Sequence, residues 1–309
     1  MWFKHLHLYR VHDAPTLSDD DLGAALDEQA FRPLGSVEAR RMGWSAPAGR
    51  GSQQRLHEIQ GHRLMSALRQ ERLLPASVVK EEMESRAAER EEAEGRPLRR
   101  QEKQALKEEI YEEFLPRAFV RTQRIDLWWD TQRHLIGINA SSRKRAEDVL
   151  DLLRQTLGSL KVTPLATRAT PMLAMTEWLS DPEKRPATLA LGDQVELKAV
   201  SGDESVLRGR QIDLDGEEIQ TALETGRQAT RLAFTIDESL SLVLTDDLAL
   251  KTLRFADALI DEASQTDDGD DPVLRLETDF ALMTQALSRT IEQLIEWLGG
   301  EATPASPTP

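Results

Sequence analysis

Arg99, Lys103 and Lys107 recur at intervals of four. A helix would carry all three on one face. Arg96 and Arg100 flank them, and Arg117, Arg121 and Arg124 follow on the next stretch. Arg143-Lys144-Arg145 opens a segment with helical spacing. Cations in a first helical turn oppose the helix dipole, but together with the free N–H groups there they form a seat for phosphate. Arg40, Arg41 and Arg50, in a Gly-rich stretch, extend the set. The chemistry these residues offer is neutralisation of phosphate charge, which positions a polyanion without reading its sequence. Glu102, Glu108 and Glu109 interrupt the first cluster, so the same residues also fit a solvated helix laced with i,i+4 pairs.

Other chemistry finds less support. The sequence has no Walker loop, dinucleotide fingerprint, G-x-S-x-G elbow or H-E-x-x-H. His5 and His7, with His12 nearby, have the spacing of a strand-borne metal pair, and equally of ordinary surface histidines. The run Asp267-Asp268-Gly269-Asp270-Asp271 lacks the calcium-loop template and reads as a solvated loop. Asp126 and Asp130 flank Trp128 and Trp129 and suggest a nuclease carboxylate pair, but no third acid or lysine stands at a recognisable spacing. The two tryptophans could stack on bases. Adjacent strand residues face opposite ways, so at least one belongs to the core. With no cysteine, the chain offers neither disulfide nor thiolate chemistry. No cofactor or metal is expected.

Charge divides the chain. Residues 1–170 hold 28 Lys and Arg against 26 Asp and Glu, a net +2; the remainder holds 11 against 28, a net −17, giving −15 over 309 residues. Such asymmetry points to a partner met electrostatically by the first half and repelled by the second. MWFKHLHLYRV lacks the apolar core and cleavage site of a signal peptide. No window approaches the roughly 18 apolar residues of a membrane span. The expectation is a cytoplasmic protein that does not enter membranes.

The elements that must position these residues are legible in outline. Residues 2–11 read as a strand, and Ser18 caps a helix with an acidic first turn. Residues 31–72 read as short strands broken by turn-favouring glycines, Gly43 among them, with a hairpin about Gly61. Residues 77–94 and 98–114 form two helical runs separated by Gly95-Arg96-Pro97, the second with a thin stripe of Leu98, Leu106, Ile110 and Phe114. Strands are expected at 118–129 and 133–139, then a helix at 143–157 ended by Gly158. In the acidic half, strands are expected at 194–200, 205–212, 229–236 and 239–244, with a short helix opened by Asp215 and two helices closing the fold. The last, 278–298, lines Phe280, Met283, Leu287, Ile291, Leu294 and Leu298 along one seam that suits a core or a partner helix.

This predicts an α+β fold of mixed antiparallel sheets with a projecting helical hairpin and C-terminal helices. Residues 1–75 and 115–170 form a central α+β region, 76–114 the hairpin, 171–300 an acidic α+β base, and 301–309 a disordered tail. The residues alone leave three functions open: a phosphate-reading surface, a helical-hairpin scaffold for another protein without DNA binding, and a metal-dependent nuclease.

Seven strings in order narrow the choice: WFKHLHLYR at 2–10, MGW at 42–44, FLPRAF at 114–119, RAEDVLDLLRQTLGSL at 145–160, TEW at 176–178, DFALMT at 279–284 and IEWLGGEA at 295–302. Together they resemble the RdgC family of bacterial recombination-associated proteins, from residue 2 to about residue 302. The resemblance implies a ring-shaped homodimer whose basic hole surrounds double-stranded DNA without sequence preference. It further implies restraint of RecA-dependent strand exchange, association with the nucleoid and no enzymatic activity. By the same resemblance, Phe119 of the LPRAF run is expected at the dimer interface, and Arg210-Gln211 is the nearest match to a functional basic-Gln segment. The expected DNA-binding set is therefore Arg96, Arg99, Arg100, Lys103, Lys107, Arg117, Arg121, Arg124, Arg143, Lys144, Arg145, Arg210 and Gln211. Leu287, Ile291 and Leu294 join Phe119 as the expected dimer contacts.

Overall fold

The structure, a computed structural model, describes residues 2–49, 52–200, 205–265 and 271–302, without the side chains of residues 264 and 265. Arg50, most of the run 267–271, and residues 303–309 of the expected tail lie outside the described residues.

The first half builds a seven-stranded sheet. Its strands are β1 (His7–Asp13), β2 (Arg40–Ser45), β3 (His57–Ile59), β4 (His62–Leu73), β5 (Phe119–Asp130), β6 (Leu135–Ile138) and β7 (Lys161–Pro164). The order is β2-β4-β5-β6-β1-β7, with β3 beside β4. One face is covered by α1 (Asp19–Glu28) and α4 (Arg143–Leu157). Ser18 accepts from the Asp21 N–H, as its capping position requires. Ala146, Val149, Leu150 and Leu153 place the apolar stripe of α4 against Tyr9, Trp44, Ile125 and Ile136. Gly43 lies inside β2 rather than in a turn. A Cβ there would stand 2.6 Å from the Phe31 backbone, so glycine permits the close approach made by the Phe31 N–H to the Trp44 carbonyl at 2.8 Å.

Strands β4 and β5 run together over twelve paired positions, from His62 and Asp130 to Leu73 and Phe119. Their far end carries the hairpin α2 (Ala76–Glu94) and α3 (Arg100–Phe114). The hairpin has its own small core of Val79, Ala87, Leu98, Leu106 and Ile110. Gly95 ends α2 in the left-handed conformation.

The second half builds an antiparallel five-stranded sheet from β8 (Leu189–Ala199), β9 (Val206–Arg210), β10 (Arg227–Ile236), β11 (Leu240–Thr245) and β12 (Leu250–Phe255). Its order is β12-β11-β10-β8-β9. The helices α5 (Pro171–Ser180), α6 (Glu217–Glu224), α7 (Asp257–Gln265) and α8 (Pro272–Trp297) complete this half. Strand β12 is absent from the sequence expectation. Thr252 takes a left-handed φ of 52° and the register slips beside it, so the alternation that marks a strand is broken.

Leu287, Ile291 and Leu294 are buried in the chain's own core with Met175, Trp178, Phe234 and Leu244. The seam expected at a dimer interface is thus packed by side chains of the chain itself. Helix α8 also ties the halves together: Glu277 meets His57 at 3.0 Å and Glu292 meets Arg133 at 2.6 Å. Glu301, assigned by sequence to the tail, bridges Thr167 and pairs with Arg10.

Candidate nucleic-acid interface

The hairpin cations are largely occupied. Arg96 lies 2.7 Å from Glu94 and 2.8 Å from Glu102, and Lys103 lies 3.0 Å from Glu91. Glu102 also accepts from the Arg99 N–H at 2.7 Å. The Arg96 guanidinium and this N–H hold the Glu102 carboxyl down to about 2. Arg100 and Lys107 project into solvent. The expected basic face is therefore closed at Arg96 and Lys103 by the acids that interrupt it.

Along the β4–β5 ribbon the expected trio divides. Arg121 and Arg124 are three residues apart, so they point to opposite faces. Arg124 donates to Asp126 at 2.6 Å, and Asp126 also accepts from Ser66 at 2.6 Å. Arg121 faces the α4 side, where it pairs with Glu71, and Glu71 also holds Arg69 at 2.9 Å. The Arg121 hydrogen bond pulls the Glu71 carboxyl below its ordinary range, and the charges of Arg69 and Arg145 add to this. Arg117 is exposed beyond the ribbon.

Arg145 thus stands near this cluster, and its guanidinium donates to Ser141 Oγ at 2.8 Å. Arg143 pairs with Glu147 at 3.1 Å, while Lys144 is exposed in the first turn of α4. From there the tract passes to the second sheet. Lys251 Nζ donates to the Ser141 carbonyl at 3.2 Å and stands 2.6 Å from His7 Nε2. Burial pushes His7 down to about 4, and the charge of Lys251 adds to the shift. The imidazole is neutral at pH 7 and accepts from the ammonium. Burial likewise lowers Lys251.

The outer face of the second sheet continues the tract. Val195, Leu197 and Leu232 point inward to the core. The alternate positions Glu196, Arg208, Arg210 and Arg231 therefore point outward. Glu196 meets Arg208 at 2.8 Å and Arg231 at 3.9 Å, and Thr230 Oγ1 donates to it at 3.0 Å. Gln194, Arg208, Arg210, Arg231, Lys251 and Thr252 border a cavity of about 180 Å³. Arg210 is exposed at the end of β9, and Gln211 follows at a left-handed φ of 56°.

A basic path therefore runs from Arg69 and Arg121 on the first sheet, past Arg145 and Ser141 at the start of α4, to Lys251, Arg231 and Arg208 around the cavity of the second. It crosses into the half of net charge −17. Sequence reading missed Arg69, Arg208, Arg231 and Lys251 because none belongs to a run of cations. The available signal was the alternation itself: the polar positions of β9 and β10 include Arg208, Arg210 and Arg231.

The other sequence candidates separate. His5 Nδ1 accepts from the Thr252 N–H at 3.3 Å, His7 meets Lys251, and His12 meets Thr163 at 2.8 Å. Among the described residues no three His, Asp or Glu side chains are grouped to hold a metal. Asp130 is fully buried and accepts from the Arg133 N–H at 2.8 Å. Asp126 and Asp130 are thus both engaged inside the fold. Trp128 and Trp129 are both core residues. Phe119 does the opposite: it is 86% exposed, with Leu73 and Val120 exposed beside it at the hairpin root.

Residues 1–301 match the family model described as "Putative exonuclease, RdgC". The chain belongs to the RdgC family. It is 41% identical over 302 residues to the recombination-associated protein RdgC of Yersinia pestis (strain Pestoides F), covering 98% of this chain and 99% of that protein. The corresponding protein of Yersinia enterocolitica serotype O:8 is 40% identical over the same span. The family description speaks of an exonuclease, whereas these relatives are named only for recombination. Among the described residues no helix is long and apolar enough to cross a membrane.

Proposed function

We propose that this RdgC-family chain binds double-stranded DNA without sequence preference, as a ring-shaped homodimer in the cytoplasm and nucleoid, and restrains RecA-dependent recombination. The observation that carries the reading is the cationic path across both halves. Arginines of this kind neutralise phosphates and release counterions, contacts that fix position but carry no base information. The acidic remainder of the second half disfavours any other docking of a polyanion. Arg100, Lys107, Lys144, Arg210 and Gln211 are exposed along this surface or its extensions and contribute further phosphate contacts. Phe119, protruding with Leu73 and Val120, supports self-association, because an apolar side chain of this size gains most from being covered by a second copy. RecA is antagonised by occupation of the duplex it would otherwise use.

Fluorescence anisotropy of a short labelled duplex, titrated across salt, tests the reading, with the dimer verified by sedimentation. The expected result is tight binding, indifferent to sequence, that weakens steeply with salt. Absence of binding at low salt would overturn it and favour the hairpin as a protein-docking scaffold. Shortening of the duplex only when a divalent metal is added would instead support the exonuclease of the family description.

A further inference from the structure

Two carboxylates inside the cationic path are each shared by two arginines, while Asp148 of α4 reaches Arg69 alone at 3.9 Å. Glu196 is shared by Arg208 and Arg231, and Glu71 by Arg69 and Arg121. Both side chains are mostly shielded, 17% and 18% exposed. Glu196 of β8 lies between cations of its neighbours β9 and β10, and Glu71 lies between Arg69 of its own strand β4 and Arg121 of β5. The Arg121 hydrogen bond keeps Glu71 ionised; at Glu196, burial opposes ionisation but the hydrogen bonds from Arg208 and Thr230 outweigh it. A carboxylate gripped by two guanidiniums presents them with the charge and acceptor oxygens that a phosphate would.

We propose that Glu71 and Glu196 are resident counter-anions of the DNA-binding surface, holding their arginines ready for phosphate and limiting how tightly duplex DNA binds. This inference rests on the DNA-binding reading above. An arginine that shares its charge with a fixed carboxylate neutralises a phosphate less fully and so displaces fewer of the cations condensed on the duplex. After the exchange, the carboxylate also remains close to the phosphate and repels it. The fixed anions therefore lower affinity and hasten dissociation. They also spare each arginine the loss of side-chain freedom that a free guanidinium suffers on binding.

The test replaces the charge and keeps the shape. Glu71→Gln and Glu196→Gln, singly and together, are compared with wild type by duplex anisotropy across salt and by competitor-chased dissociation. Glu224→Gln, exposed on α6, serves as the control for net charge alone. Each interface variant is expected to bind about three- to tenfold more tightly near 0.1 M salt, to dissociate more slowly, and to steepen the salt slope by up to about 0.9. The double variant should multiply the effects, and Glu224→Gln should match wild type. The two sites lie in different sheets, so each variant tests the proposal whatever the other does to folding. Wild-type or weaker affinity in folded Gln variants, with wild type binding DNA normally, would overturn the inference alone. An equal gain in Glu224→Gln would overturn it as well, by assigning the effect to net charge. A wild-type protein that fails to bind duplex would overturn the proposed function itself.

Discussion

The hairpin and the outer face of the second sheet both carry arginine and lysine, yet they manage that charge differently. On the hairpin, cations meet carboxylates along and across the helices: Arg86 with Glu82 and Glu113, Arg90 with Glu109, Lys103 with Glu91, Arg96 with Glu94 and Glu102. On the sheet, Arg208 and Arg231 share Glu196, and Lys251 donates to a neutral imidazole. On the hairpin the acids outnumber the cations they pair with, whereas on the sheet two arginines share one carboxylate. Local density of basic residues is therefore a poor measure of the field a surface presents. The positions of the acids decide it.

The largest expected effect separates these two regions. Arg208→Glu with Arg231→Glu should weaken duplex binding by about 100-fold and flatten the salt slope by about 1, since two phosphate contacts that Glu196 already partly offsets are removed and two repulsions added. Anisotropy titrations at several salt concentrations read both quantities. Next in size is self-association. Phe119→Ser should raise the dimer dissociation constant about tenfold or more, because covering a phenyl ring is worth about 1.5–3 kcal/mol; sedimentation equilibrium measures it, and an unchanged constant would remove Phe119 from the contact. The paired reversal Arg100→Glu with Lys107→Glu should cost only about threefold in affinity. A loss as large as that of the sheet variant would erase the distinction between the regions.

The smallest effect concerns His7. Its folded-state pKa of about 4 lies below the ordinary 6.5. The unfolded chain therefore takes up this proton first, and stability falls as pH drops from 6.5 toward 4 while staying level above. The loss between pH 7 and pH 5 should be about 1 kcal/mol, allowing for partial screening. In His7→Gln this part of the dependence should vanish from urea unfolding curves.

Much of the fold is written locally. Helix α4 occupies residues 143–157 as its spacing requires, and Gly158 ends it at a φ of 76°. The Ser18 cap, the turn at Gly61 and the break at Gly95 are likewise set by single residues whose chemistry permits little else. Elements shaped by distant partners were harder to read. Strand β12 contains a left-handed threonine and is recognisable chiefly by its partners, β11 and the Leu6–Leu250 bridge. The seam of α8 has a spacing common to cores and coiled coils, and only the packed fold shows that its own chain fills it. The candidate site follows the same division. Arg143-Lys144-Arg145 is visible as a run, whereas Lys251 is placed by contacts to Ser141 and to His7, the latter 244 positions away. The path itself reaches Lys251 from Ser141, 110 positions away, and contacts of this kind leave no pattern in a single sequence.

The most direct test of the central claim asks which surface the duplex touches. A photo-crosslinking residue replaces Val243, on the border of the cationic cavity, or Glu224 on α6. Each protein is then irradiated with the same labelled duplex below saturation. The account predicts a salt-sensitive protein–DNA adduct from position 243 and none from position 224. Equal adducts from both positions, or an adduct from 224 alone, would contradict it.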